Sequence, residues 1–211
     1  MVSLDSTSKE QITEWSLRIL SCVSVGFFAL QAAGAFMQDP TRISLLFAII
    51  SEVTTIVISL ASRRPVGRDW QPLTVAATLY AGCLFPFFID VNSGSRIISE
   101  SFAATFQIIG LLWTIHAKVS LGRSFGWLPA DRGVVETGAY AFVRHPIYLG
   151  YLISQVGFLL ANLSIQNMLV YVLNLVAQLY RISREEKYLL QNEAYRNYAK
   201  RVRFKLIYGV F

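Results

Sequence analysis

Arg144-His145-Pro146 is followed by Tyr148 and Gly150, and a second polar cluster, Arg181-x-x-Arg184-Glu185-Glu186, comes later with Tyr195 and Tyr198 behind it. Adjacent carboxylates, an imidazole and several guanidiniums are groups that can hold a small zwitterion. The carboxylates accept from an amine or hydroxyls, while Arg and His donate to a carboxylate. Pro146 suits the first turn of a helix, where no N–H is needed, so Arg144 and His145 fall at a helix mouth. Free N–H groups and the partial positive charge there favour an anion. Gly150, one turn further in, permits close approach of a helix or ligand to the backbone. Arg181 and Glu185 are i and i+4 and share a helix face. The plain alternative is a local ion pair worth about 0.2–0.5 kcal/mol.

The elements that position these groups follow from where charge is missing. No Asp, Glu, Lys or Arg occurs between Arg18 and Asp39, Asp69 and Asp90, Glu100 and Lys118, or Arg144 and Arg181, and Glu52 alone interrupts the stretch from Arg42 to Arg63. Each gap meets or approaches the ~20 apolar residues of a membrane-crossing helix. The run after Arg144 would exceed a ~30 Å hydrocarbon core if it were one helix. Ala161-Asn162-Leu163-Ser164 offers a turn within it, with Asn162 or Ser164 as a cap. A tight helical hairpin is therefore expected, with arms near 147–161 and 165–190. Its two ends lie at one membrane face, which brings the polar clusters together.

The whole chain of 211 residues is 54% hydrophobic and 15% charged, against about 25% charged in soluble domains. The fold class expected is all-α, a polytopic integral membrane protein with about six transmembrane helices. Spans fall at about 15–36, 42–61, 72–91 and 101–118, with the hairpin after them. Turn signals stand at Asp39-Pro40, Arg63–Gly67 and Asn92-Ser93-Gly94, and Pro86 should kink the third span. Residues 1–14 read as a cytosolic or interfacial lead, 15–118 as a four-helix transmembrane region, and 119–211 as a catalytic region with a cytosolic C-terminal helix. The first apolar stretch follows Asp5, Glu10 and Glu14 and is longer than a cleaved signal's ~7–15-residue core, so it reads as a retained span.

On that topology, Arg42 and Arg96 alone among the basic residues fall on one side, and the positive-inside rule makes the other side cytosolic, with both termini. Lys200, Arg201, Arg203 and Lys205 either attract anionic headgroups or merely fix topology. Glu52, mid-span, either bonds a neighbouring helix or contacts a ligand. Two histidines and two separated cysteines argue against a metal or a disulfide framework. No Gly-x-Gly-x-x-Gly or phosphate-loop signature occurs, and the distribution of the +6 net charge argues against nucleic acid as a partner.

Arg144-His145-Pro146-x-Tyr148-x-Gly150, the downstream Arg-x-x-x-Glu-Glu and the Tyr-x-x-Tyr together resemble the isoprenylcysteine carboxyl methyltransferase and phospholipid methyltransferase superfamily. Leu121–Phe125 and Gly138-Ala139-Tyr140 resemble prokaryotic members, which implies a bacterial or archaeal inner membrane. The resemblance covers about residues 118–205. It implies S-adenosyl-L-methionine as cofactor, held by His145, Pro146, Tyr148, Gly150, Glu185, Glu186, Tyr195 and Tyr198. It also implies a lipid or lipidated acceptor near Arg181. The candidate catalytic residues are Arg181, Glu185 and Arg144, with Arg123 and Arg181 toward the substrate. A carboxylate acceptor needs only charge neutralisation, by Arg181 or Arg123. An amine acceptor must lose a proton, to Glu185 or His145. Two alternatives stand beside this reading: an NADPH-dependent membrane reductase of a sterol or enone lipid, and a non-catalytic membrane scaffold.

Overall fold

The computed structural model describes residues 3–61, 71–92, 94–121 and 134–211, with side chains from Trp15 onward in the first helix and through Val57 in the second. Among these residues the chain is helical without strands: α1 (Ser3–Gln38), α2 (Ile43–Ala61), α3 (Pro72–Leu79), α4 (Glu100–Leu121), α5 (Pro146–Ala161), α6 (Ile165–Leu189) and α7 (Glu193–Arg201). Arg63–Gly67, Ser93, and Gly122–Phe125 with Arg123 lie outside the described residues. The polar lead expected over 1–14 is helical from Ser3, because α1 runs unbroken from there into its apolar part. No glycine or proline stands between Ser3 and Val25 to end it.

The surface of the bundle is inverted relative to a soluble protein. Along α6, Ile165, Met168, Leu169, Val172, Leu173 and Val176 form an exposed stripe at helical spacing. Asn167, Asn174 and Gln178 are buried on the opposite face. On α2, Ile43, Leu46, Ile50, Val53 and Val57 repeat the exposed apolar stripe. Apolar outside and polar inside is the arrangement a lipid solvent favours. Trp15–Gln38 and Glu100–Leu121 are long and apolar enough to cross a membrane, whereas Ile43–Val57, Pro72–Phe88 and Pro146–Ala161 are shorter apolar helices. Two crossings of the expected six thus rest on length and composition together.

Pro86 acts as the sequence suggests. Beyond α3 the helix widens into a π turn at Tyr80–Leu84 and then tightens into a 3₁₀ turn at Phe85–Phe88. Pro86 has no N–H to give the Gly82 carbonyl, and the Ser21 hydroxyl lies 3.2 Å from that oxygen instead. An aromatic core binds α1, α5, α6 and this turn, with Phe28 6.1 Å from Phe158 and Tyr171 5.8 Å from Phe158 and 6.2 Å from Phe85.

α5 and α6 are joined by three residues, and the Ser164 hydroxyl caps α6 by accepting from the Asn167 N–H at 3.1 Å. The turn is pinned by Arg42, which donates to Asn162 Oδ1 at 2.5 Å and to the Val91 carbonyl at 2.6 Å. Asn167 donates to the carbonyls of Asp90 and Asn162 at 2.7 Å each. Contrary to a tight hairpin, the main neighbour of α5 is α4 rather than α6. Glycines make the difference. A methyl added at Gly110 would sit 2.6 Å from the Gly150 carbonyl and 2.6 Å from the Ser154 N–H, and one at Gly150 would sit 2.8 Å from the Gly110 carbonyl. Backbones that approach this closely leave no room for a side chain.

This contact predicts that Gly110→Ala lowers stability by about 1–3 kcal/mol through overpacking. Gly26→Ala, where the added methyl meets nothing within 4 Å, should not destabilise and can gain up to about 1 kcal/mol in helix propensity. Thermal melts of the two variants in detergent check it. Equal melting temperatures would remove the glycine contact as the cause of the α4–α5 pairing.

Candidate functional site

The N-terminal end of α5 meets the polar end of α6, where the apolar stripe has run out. Pro146 is the first residue of α5 and His145 its cap. His145 Nε2 lies 2.8 Å from Glu186 Oε1, and Nδ1 lies 3.5 Å from Glu185 Oε2. Tyr148, one turn inward, donates to Glu185 Oε1 at 2.5 Å. Tyr195, on α7, donates to Glu186 Oε1 at 2.7 Å. Arg144 Nη1 stands 3.2 Å from Glu186 Oε2. The Arg181 guanidinium lies over the Tyr148 ring at 5.4 Å, a cation–π distance. Arg144, His145, Tyr148, Arg181, Glu185, Glu186 and Tyr195, expected at the site, are all gathered at this end.

Two residues expected at the cofactor have structural partners as well. Gly150 faces α4, where its missing side chain lets the two backbones touch. The Tyr198 hydroxyl, fully buried, donates to the Tyr140 carbonyl at 2.8 Å and ties α7 to the turn before α5. That 3₁₀ turn, Gly138–Ala141, opens on Gly138 at φ 62, a left-handed backbone that glycine adopts without strain. Pro146 starts the helix, and Arg123 lies outside the described residues.

The backbone just ahead of the helix is covered by a second segment of chain. The Arg144 N–H donates to the Phe204 carbonyl at 3.0 Å, and the His145 N–H to the Lys205 carbonyl at 2.8 Å. A strap of chain after α7 therefore crosses the entrance, held by Leu206, which is buried with Tyr148 and Ile182. Sequence reasoning missed it because backbone pairing has no side-chain signature. The only hint was apolar Phe204 and Leu206 amid the basic residues. Elsewhere, Glu52 lines a cavity of about 30 Å³ with Gln107, Tyr151, Ser154, Gln155 and Tyr171, room for about one water.

Electrostatics knit the cluster. Burial works against the charge on His145, but its hydrogen bonds to Glu185 and Glu186 outweigh it, and the imidazole titrates above its ordinary range. Burial likewise opposes the charges on Glu185 and Glu186, yet the His145 partnership holds both carboxyls below their usual range. Burial, followed by the Glu186 charge, pushes the Tyr195 hydroxyl up, so it remains a donor. The cluster thus sets the guanidiniums of Arg144 and Arg181 and the imidazole of His145 against two carboxylates. The Arg144 Nε is buried with no partner among the described residues, which leaves one donor for an anion.

Residues 103–191 match the sequence pattern of the isoprenylcysteine carboxyl methyltransferase (ICMT) family. Protein-S-isoprenylcysteine O-methyltransferase of Schizosaccharomyces pombe is 34% identical over 131 residues, covering 57% of this chain and 54% of that protein. The chain therefore spans about half the length of the curated relative it matches. That relative comes from a yeast and lends nothing to the expected bacterial or archaeal source.

The raised His145 contributes stability that is fully present below the ordinary histidine range of about 6.5. That contribution is lost as pH rises through its elevated titration. The depressed carboxylates contribute above their ordinary range and lose it in acid. Melting temperature in detergent should therefore fall on both flanks of neutrality. His145→Gln should remove the alkaline limb and shrink the acid one, because His145 is what holds both carboxyls down, and an unchanged alkaline limb in that variant would assign it to another group.

Proposed function

We propose that this protein is an S-adenosylmethionine-dependent membrane methyltransferase, a reading supported by the match of residues 103–191, which include most of the cluster, to the isoprenylcysteine carboxyl methyltransferase family and by the similarity to the yeast O-methyltransferase. Its acceptor is the carboxylate of a lipid or lipidated molecule, such as a prenylated cysteine. The site opens at the cytosolic membrane face of a six-crossing bundle. The observation that carries the reading is the joining of Glu185 and Glu186 to His145, Arg144 and Arg181 at the end of an inverted, lipid-adapted bundle. The relative's name supports the carboxylate over an amine.

The residues present fit the cofactor. Each carboxylate oxygen can accept more than one hydrogen bond, so Glu185 Oε2, 3.5 Å from His145, has capacity for an amine or ribose hydroxyls. The orphaned Arg144 Nε suits an α-carboxylate. Tyr148 offers an aromatic face of the kind a sulfonium tolerates. When bound, the cofactor supplies an electrophilic methyl group.

The chain supplies binding and alignment. A carboxylate acceptor needs no base, so Arg181 neutralises and orients it against the methyl, and the gain comes from holding the reacting atoms in line. Tyr148 and His145 fix the orientation of Glu185, while Arg144 and Tyr195 fix that of Glu186. Water exclusion follows from burial: His145, Tyr148, Arg181 and Glu186 are all buried.

Purified protein in detergent should be stabilised by S-adenosylhomocysteine and not by NADPH in a thermal-shift assay, and selective stabilisation by NADPH would overturn the reading. Glu186→Gln should weaken S-adenosylhomocysteine binding about tenfold or more, the scale of a lost charged hydrogen bond, without loss of membrane insertion. Arg181→Ala should depress turnover of a prenylated cysteine acceptor, followed with methyl-labelled cofactor, far more than cofactor affinity. Equal losses in both would remove Arg181 from the acceptor side.

A further inference from the structure

The strap after α7 continues into a small closed turn. The N–H groups of Leu206 and Ile207 both donate to the Phe211 carbonyl, at 2.7 and 3.0 Å, and the Phe211 N–H returns to the Ile207 carbonyl at 3.1 Å. Gly209, at φ 83, makes the reversal possible. While Leu206 points into the protein, Ile207, Tyr208 and Val210 point out, with Tyr208 73% and Val210 78% exposed. Behind this apolar tip stands a collar of positive charge. Lys200 and Arg203 are exposed, and Lys205 Nζ lies 4.5 Å over the Phe211 ring. Residues 200–211 contain four basic and no acidic side chains. Arg201 is engaged with Glu136, which leaves the collar to the other three.

An exposed aliphatic and aromatic tip ringed by cations is a poor surface in water. It is complementary to a negatively charged bilayer surface, where the tip enters the headgroup–acyl boundary and the collar meets anionic lipid. We propose that this turn is a docking surface for anionic phospholipid, and that docking clamps the strap onto the Arg144–His145 backbone. The mechanical link is short. Phe204 and Lys205, whose carbonyls accept from Arg144 and His145, lie between the collar residue Arg203 and the buried anchor Leu206. Lipid that holds the collar and tip also holds the covering of the helix mouth. The proposal rests on the membrane reading of the bundle and is independent of which reaction the site performs.

Hydrogen exchange on the full chain in nanodiscs tests it, comparing phosphatidylcholine alone with phosphatidylcholine plus phosphatidylglycerol. Each basic residue near an anionic surface is worth about fivefold in partitioning. Amides over 204–211 and those of Arg144 and His145 should therefore exchange several-fold more slowly in the anionic discs, with the difference shrinking at high salt. The double variant K200Q/R203Q should lose the lipid difference and keep the wild-type melting temperature. Y208S/V210S should reduce protection at both salt levels. Equal exchange in the two lipids, or an unchanged lipid response in K200Q/R203Q, would overturn the proposal. So would protection that depends on protein concentration in neutral discs, which would identify a second copy as the occupant. S-adenosylhomocysteine affinity measured in the same discs separates the two readings: a lipid response without cofactor binding sinks the proposed activity and leaves the docking surface standing.

Discussion

Everything at the polar end of this bundle depends on one buried contact, His145 against Glu186 at 2.8 Å, between residues 41 positions apart. The chain between them leaves that end along α5, turns at Asn162–Ser164 and returns along α6. Ionised groups taken out of water stay charged only when paired and hydrogen-bonded, so this contact decides whether either helix can carry its charges inward. Arg144, Tyr148 and Tyr195 supply the remaining bonds. The turn at the other end answers it with a second polar network around Arg42, Asn162 and Asn167. Helices fastened at both ends need little contact along their length, which accounts for α5 making its close packing with α4 rather than α6.

The same economy of polar groups explains the outer surface. Few charges are available, and those described are drawn to the two ends or into the interior. The lateral faces are left to Ile, Leu, Val, Phe and Met. A helix such as α6 then has two incompatible faces for a soluble protein but two compatible ones for a lipid-embedded one. Asn174 and Gln178, buried together on it and hydrogen-bonded to one another, show polar side chains serving as interior contacts.

Much of this was legible in the residues. The spacing of charge-free runs located α2, α4, α5 and α6 within a few positions, and Pro86 and Ser164 behaved as their chemistry requires. The two polar clusters had to meet because the apolar run between them is too long for one crossing. What could not be read shares a single cause, the identity of a distant partner. Gly150 is equally suited to a ligand or a helix, and its contact with Gly110 becomes visible only in the fold. Tyr198 pairs with a backbone carbonyl, and any residue can supply a carbonyl. The strap across the helix mouth is held by main-chain groups that every sequence contains.

The strap has a consequence in time as well as in space. Arg144 and His145 are completed by carbonyls that the ribosome has not yet made when the Arg-His-Pro segment emerges. At ~5–20 residues per second of synthesis, that segment waits several seconds with its main-chain donors open to water. α5, α6 and α7 must be in position before Phe204 and Lys205 can reach it. Assembly of the site therefore waits on main-chain groups made about 60 residues after the residues they complete.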